Sequence, residues 1–372
     1  MIPQVRTPRK RLHFALHPFR SARTLRLRAV QAGASRSPSL LRPLCRPCAR
    51  ALILLLVLLP FAAGAEEPVL KKATFIPQWV PQAQFAGYYT ALDKGIYQKH
   101  GIDLEILPGG PDHPGDVALE EGRADFGTLW LSTSIPMREE GVPVINLAQI
   151  MQHSALMLVA KKSSGILEPQ DMNGKKVGLW GPIFQIQPRA FFEKYHLDVQ
   201  VVRQSYSVNL FLRNGVDVAS AMWYNEYHTI LNCGLNPEEL TTFFFHEHGL
   251  NFPEDGIYAL EATRERDPEL CRAFVQASIE GWEYAFDHPT EALDIVMANL
   301  KRAHVPATRV HQRWMLERMR DLIRPEGSTL PVGTLRREDY LRVAEGLREN
   351  GMIETIPPFE TFYRSCTGHA DQ

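Results

Sequence analysis

The sequence predicts an α/β protein of two similar lobes, each built on a mostly parallel sheet, followed by a helical C-terminal part. Three observations predict it. Strand-like and helix-like segments alternate from about residue 72, the same order starts again after Lys161, and apolar residues recur at helical spacing from Glu269 onward.

In the first lobe, "KATFIPQW" reads as a strand and loop because β-forming residues give way to a Pro and polar side chains. "QFAGYYTALDKGIYQKHG" has the spacing of a helix, "DLEIL" alternates as a strand, "PGDVALEEGRA" is a helix opened by Pro, and "DFGTLW" is a short apolar strand. "SIPMREEG" continues as a helix, with "VPVINLAQIMQ" and "ALMLVAKK" as strands. The second series runs through "GILEPQDMNGKKVGLW" (turn and strand), "IQPRAFFEKYHL" (helix), "DVQVVRQ" (strand), "NLFLRNGV" (helix) and "DVASAMW" (strand). The helical part extends from "ELCRAFVQASIEGWEYAFDHPTEALDIVMANL" through "DYLRVAEGLRENG".

Ahead of these elements stands a segment of different chemistry. Of the 41 Lys and Arg, 12 fall in residues 1 to 65, which hold none of the 42 Asp and Glu. The remainder is therefore acidic, at about −13, a poor balance for binding nucleic acid. Basic residues end at Arg50, an apolar run follows, and it closes on Ala63-Gly64-Ala65. This is the layout of a secretory signal peptide, with export and cleavage expected near Ala65. A membrane anchor and an organellar transit peptide are the competing readings. The apolar run, about 13 residues broken by Pro60, is short of the ~20 that span a bilayer. Cys45 and Cys48 precede the run, and Cys233, Cys271 and Cys366 follow it, widely spaced; one disulfide between two of these three is open, and free thiols are the simpler expectation.

Two α/β lobes leave a cleft, and ligands of open parallel sheets gather beyond the carboxyl ends of the strands. The residues there are Gln78, Trp79, Gln82 and Gln84 after the first strand; Trp130, Ser132 and Thr133 after "ADFGTL"; Trp180, Gly181 and Phe184 after "VGLW"; and Trp223, Tyr224, Asn225 and Glu226 after "VASAM". Four strand ends thus carry a Trp, out of six in the chain. Each Trp could serve lobe packing; four at corresponding positions fit a cleft that stacks on a planar ligand while polar neighbours orient it. The list has no Lys or Arg for an oxyanion, and Glu226 suits a ligand rich in N–H donors. Glu226 could equally favour the dipole of the helix that follows it. The candidate ligand-binding residues are Trp79, Gln82, Gln84, Trp130, Ser132, Thr133, Trp180, Phe184, Trp223, Tyr224, Asn225 and Glu226.

"WVPQAQFAGYYTALDKGIYQKHGIDLEIL", "LEEGRADFGT" and "NGVDVASAMWYNE" together resemble the periplasmic substrate-binding proteins of the thiamine-pyrimidine-synthase-like family, with alkanesulfonate-binding relatives. The likeness covers about residues 72 to 300. It implies a two-lobed type II periplasmic binding protein: residues 66–160 as the first part of lobe 1, 161–252 as lobe 2, and 253–372 as the return to lobe 1 with the C-terminal helices. The crossings would lie near Lys161 and near Asn251 to Gly256. It also implies a small-molecule ligand, an aminopyrimidine thiamine precursor foremost and riboflavin or an alkanesulfonate as alternatives, and an ABC transporter permease as partner of a monomer. The same family contains an enzyme that forms the thiamine pyrimidine with a Lys-bound pyridoxal phosphate, its own His and iron. The positions of that Lys and His read here about Leu129 and Thr133, and the cysteine-rich iron motif has no counterpart, so no catalytic residue and no cofactor are expected.

Other chemistry is thin. His246-Glu247-His248, read as part of a strand, would put two His on one face without a third ligand, so no metal is expected. His113 belongs to a turn that the resemblance puts at the cleft rim, where ligand contact is open. From the helix pattern, Phe85, Tyr88 and Leu92 form the buried face of the first helix.

Overall fold

The computed structural model describes residues 69–368. The leader and its cleavage position near Ala65 lie outside the described residues. No helix among the described residues is long and apolar enough to cross a membrane.

Ten strands alternate with helices: β1 Lys71–Ile76, β2 Ile102–Ile106, β3 Phe126–Leu129, β4 Val144–Gln149, β5 Leu156–Lys161, β6 Lys176–Leu179, β7 Gln200–Arg203, β8 Val218–Met222, β9 Leu240–Phe244 and β10 Gly256–Leu260. They form two five-stranded sheets, in the orders β2-β1-β3-β10-β4 and β7-β6-β8-β5-β9. In each sheet four strands run one way, and the fourth in order, β10 or β5, runs against its neighbours. The two sheets therefore share one topology, as the repeated order of elements in the sequence predicts. The inner strands β3, β10, β5 and β8 are buried along nearly their whole length, as strands covered on both faces must be.

Strand β5, which the sequence reading places in the first lobe, is hydrogen-bonded between β8 and β9 of the second sheet. The chain passes from the first sheet to the second between Gln149 and Leu156, ahead of Lys161, and returns between Phe244 and Gly256. The returning strand β10 carries no sequence assignment, because "GIYAL" is short and merges into the helix that follows.

The first sheet is packed by helix Ala86–Asp93 and the long helix Pro268–Asp287. These helices cross at two glycines: a Cβ on Gly281 would lie 2.3 Å from the carbonyl oxygen of Gly87, and one on Gly87 would lie 2.3 Å from the Trp282 ring. Such proximity admits only glycine. Beneath them Phe126 and Phe274 stack at 4.1 Å, with Phe75 and Tyr97 against the same ring. Phe85 and Tyr88 are buried as expected, whereas Leu92 is exposed, since the face of this helix that meets helix Pro268–Asp287 runs through Gly87 and Ala91, one residue away.

Candidate functional site

Both sheets turn the carboxyl ends of their parallel strands toward one cleft of about 200 Å³. From the first lobe it is lined by Gln78, Trp79, Gln82, Gln84, Trp130 and Thr133; from the second by Trp180, Phe184, Tyr206, Met222, Tyr224, Asn225 and Glu226. Aromatic rings meet across it. Trp79 approaches Tyr206 edge-on at 5.4 Å, and Phe184 stands edge-on to Trp130 at 5.1 Å and to Trp180 at 5.8 Å. Trp180 is fixed by its indole N–H, which donates to the carbonyl of Ser205 over 3.1 Å.

Ten of the twelve sequence candidates line this cleft, and two do not. Trp223 points away, because helix Arg309–Ile323 takes its face: Trp314 Nε1 donates to the Trp223 carbonyl over 3.0 Å, the Arg318 guanidinium lies 4.8 Å from the Trp223 ring, and Phe244 covers another side. The strand ends at Met222 and residues 223–225 form a turn closed by the Asn225 N–H on the Met222 carbonyl; it is Tyr224 of this turn that lines the cleft. Ser132 lines a separate cavity of about 20 Å³, behind Trp130 and Phe184, together with Gln187 and Glu254. His113 is exposed and lies outside the cleft lining. His246 and His248 sit in a 3₁₀ turn, Phe245–His248, rather than on a strand. There His246 stacks on His153 at 4.6 Å and His248 Nδ1 pairs with the Tyr195 hydroxyl. Among the described residues no group of three or more His, Cys, Asp or Glu is arranged to hold a metal ion.

Glu226 opens helix Glu226–Asn232 and is buried. It accepts the backbone N–H of Met222 and the side-chain amide of Asn225, each over 3.0 Å. It therefore both braces the strand end and stands in the cleft wall. Burial pushes its carboxyl up to about 7, against the lowering effect of the backbone bonds.

Two carboxylates that sequence reasoning missed stand behind the first-lobe wall. Asp255, 3% exposed, accepts from Gln78 Nε2 and, over 2.9 Å, from Trp130 Nε1 on one oxygen; its other oxygen accepts from Gln84 Nε2 over 2.8 Å. Burial pushes Asp255 up to about 7, with the bonds from Gln84 and Trp130 opposing it. Glu254, 2% exposed, accepts from the Ser154 hydroxyl and from the backbone N–H groups of Ala155 and Leu156 at 2.9 to 3.0 Å. Burial and the neighbouring Asp255 charge push it up to about 8. Both precede β10, whose reversed direction brings its beginning to the edge where the parallel strands end. Tyr206, by contrast, does follow a parallel strand, and the strand-end rule reaches it once it is not restricted to tryptophan.

The chain resembles known proteins along most of the described part. It is 24% identical over 265 residues to the riboflavin-binding protein RibY of Chloroflexus aurantiacus, covering 66% of this chain and 72% of that one. It is 21% identical over 313 residues to the formylaminopyrimidine-binding protein of Halalkalibacterium halodurans, covering 82% and 93%. In fold it is similar to the periplasmic aliphatic sulphonate binding protein SsuA of Escherichia coli, with a TM-score of 0.63 at 15% identity over 81% of this chain and 94% of the other. The two-sheet α/β architecture is thus that of periplasmic binding proteins. The family model described as NMT1/THI5 like matches residues 82–292, more than half of the sequence, and the chain belongs to that family.

Proposed function

We propose that this protein is the exported solute-binding component of an ABC importer, and that its cleft captures a small planar nitrogen heteroaromatic, foremost an aminopyrimidine precursor of thiamine. The observation that carries the reading is the character of the cleft lining: Trp79, Trp130, Trp180, Phe184, Tyr206 and Tyr224 supply aromatic surface, Glu226 is the one charged side chain, and no Lys, Arg or His lines it. Aromatic walls favour a flat ring. A sulfonate or other oxyanion calls for Arg or free N–H groups instead, so the fold likeness to a sulphonate binder does not extend to its ligand. Riboflavin and formylaminopyrimidine, the ligands in the names of two relatives, are both nitrogen heteroaromatics. At about 200 Å³ the cleft is smaller than the ~300–1,000 Å³ usual for drug-sized molecules, which favours a single ring over a flavin.

Each of Trp79, Gln82, Gln84, Trp130, Thr133, Trp180, Phe184, Tyr224, Asn225 and Glu226 is proposed to contact or orient the ligand, joined by Gln78, Tyr206 and Met222. The protein acts as a monomer, closes by bending at the connections around Gln149–Leu156 and Phe244–Gly256, and presents its closed form to a membrane permease. It has no catalytic role: buried Leu129 and half-buried Thr133 offer neither the amine nor the imidazole of the pyrimidine-forming enzymes.

Mass spectrometry of what the purified protein releases on denaturation, followed by thermal-shift screening with aminopyrimidines, riboflavin and taurine, tests the reading. An aminopyrimidine should raise the midpoint by mass action. A response to taurine alone would refute it, and absorbance of bound pyridoxal phosphate would restore the enzyme.

A further inference from the structure

The first-lobe wall of the cleft carries three glutamines whose amides are oriented from behind by Asp255. Gln78 and Gln84 both turn their NH₂ groups toward the Asp255 carboxyl oxygens, the direction that its ionised form, which only accepts hydrogen bonds, requires. Trp130, a donor only, completes the set on the oxygen shared with Gln78. Gln84 then has its Oε1 facing Gln82, whose NH₂ it accepts. This network assigns the amide directions and leaves Oε1 of Gln78 and Oε1 of Gln82 without a hydrogen-bond partner among the described residues, on side chains that line the cleft. Glu226, from the opposite lobe, adds a further acceptor.

We propose that Asp255 is a positioning residue that sets the polarity of the ligand site: through Gln78 and the relay Gln84 to Gln82 it makes the first-lobe wall an acceptor surface, so that the site selects a ring edge bearing N–H donors over its oxo counterpart. This rests on the reading of the cleft as a heteroaromatic site and adds its specificity. A ring carbonyl placed against these amide oxygens would leave acceptors facing acceptors in a desolvated pocket, which costs about 1–3 kcal/mol per group, or roughly tenfold to hundredfold in affinity.

Asp255→Asn makes the relay visible. Trp130 and Gln78 hold the oxygen on their side, so the new NH₂ faces Gln84; Gln84 must then turn over, and Gln82 with it, presenting an NH₂ to the ligand. The test is calorimetric titration of the protein, D255N and Gln82→Met with a matched pair, 2-methyl-4-aminopyrimidine and 2-methylpyrimidin-4-one, with circular dichroism as the check of folding. The unaltered protein should favour the amino ring by about tenfold or more, and D255N should bring the ratio close to or past unity. A merely structural Asp255 would weaken both rings equally, and an unchanged ratio overturns the proposal. Should D255N fail to fold, Q82M, which removes one acceptor without disturbing Asp255, must lower the ratio, and its failure to do so overturns the proposal likewise. Equal binding of the two rings by the unaltered protein sinks this inference alone, whereas no binding of either sinks the heteroaromatic reading with it.

Discussion

Ser154 donates its hydroxyl to Oε1 of Glu254 over 2.9 Å, and this bond joins the two connections that run between the sheets. Asn251 reinforces the junction: its Oδ1 accepts the Ser154 N–H and its Nδ2 donates to the Gln152 carbonyl. One carboxyl thus ties the two connections together while its neighbour Asp255 holds Gln78, Gln84 and Trp130 of the cleft wall. Glu254→Ala should destabilise the protein by roughly 2–4 kcal/mol, because three donors lose their buried acceptor. Glu254→Gln keeps the acceptor and resembles the protonated acid, so chemical denaturation at pH 7 should find it within about 1 kcal/mol of the parent.

Raised carboxyls also fix a pH dependence. Glu226 at about 7, Asp255 at about 7 and Glu254 at about 8 all bind protons more tightly folded than unfolded. Their contribution is complete below the unfolded carboxyl range and is lost as pH rises through 7 to 8. His153, pushed down to about 4 by burial and by His246, and the buried-leaning His246 and His311 act oppositely, and only below about 6.5. The thermal midpoint of the ligand-free protein should therefore fall by a few degrees between pH 7 and 8.5. E254Q should show a shallower fall, and equal slopes in the two proteins would contradict the assignment.

The crossing of helices Ala86–Asp93 and Pro268–Asp287 has no room for a methyl group at Gly281. Gly281→Ala should cost about 1–3 kcal/mol in urea denaturation, since the obstacle is the Gly87 backbone rather than a movable side chain.

Trp223 separates packing from binding. Trp223→Phe should lower stability by about 1–2 kcal/mol through the lost contact with Arg318 and Phe244. Ligand affinity should stay within about twofold, while Trp130→Phe, which removes the indole bond to Asp255, should weaken binding about tenfold. Fluorescence-monitored titration distinguishes the two.

Legibility of the sequence followed from strand direction. Parallel strands deliver the residues after them to the cleft, so Trp79, Trp130, Trp180 and Glu226 could be read from the chain. The antiparallel β10 delivers the residues before it, and Glu254 and Asp255 fell outside a rule framed for parallel strands. The same reversal hid the first crossing, since β5 looks like one more strand of the lobe it has already left. Trp223 misled because adjacent residues at a strand end share a position in sequence but not a direction in space. Leu92 misled because the helix packs closely through its small residues Gly87 and Ala91, a contact face that the spacing of large apolar residues does not reveal.

The most direct test of the heteroaromatic site is calorimetric titration of the purified protein with a thiamine-type aminopyrimidine, run beside an alkanesulfonate and repeated on Glu226→Gln. The account predicts saturable one-to-one binding of the aminopyrimidine, at least about tenfold tighter than the sulfonate and weakened about tenfold or more by E226Q. Tighter binding of the sulfonate, or an aminopyrimidine affinity indifferent to E226Q, would contradict it.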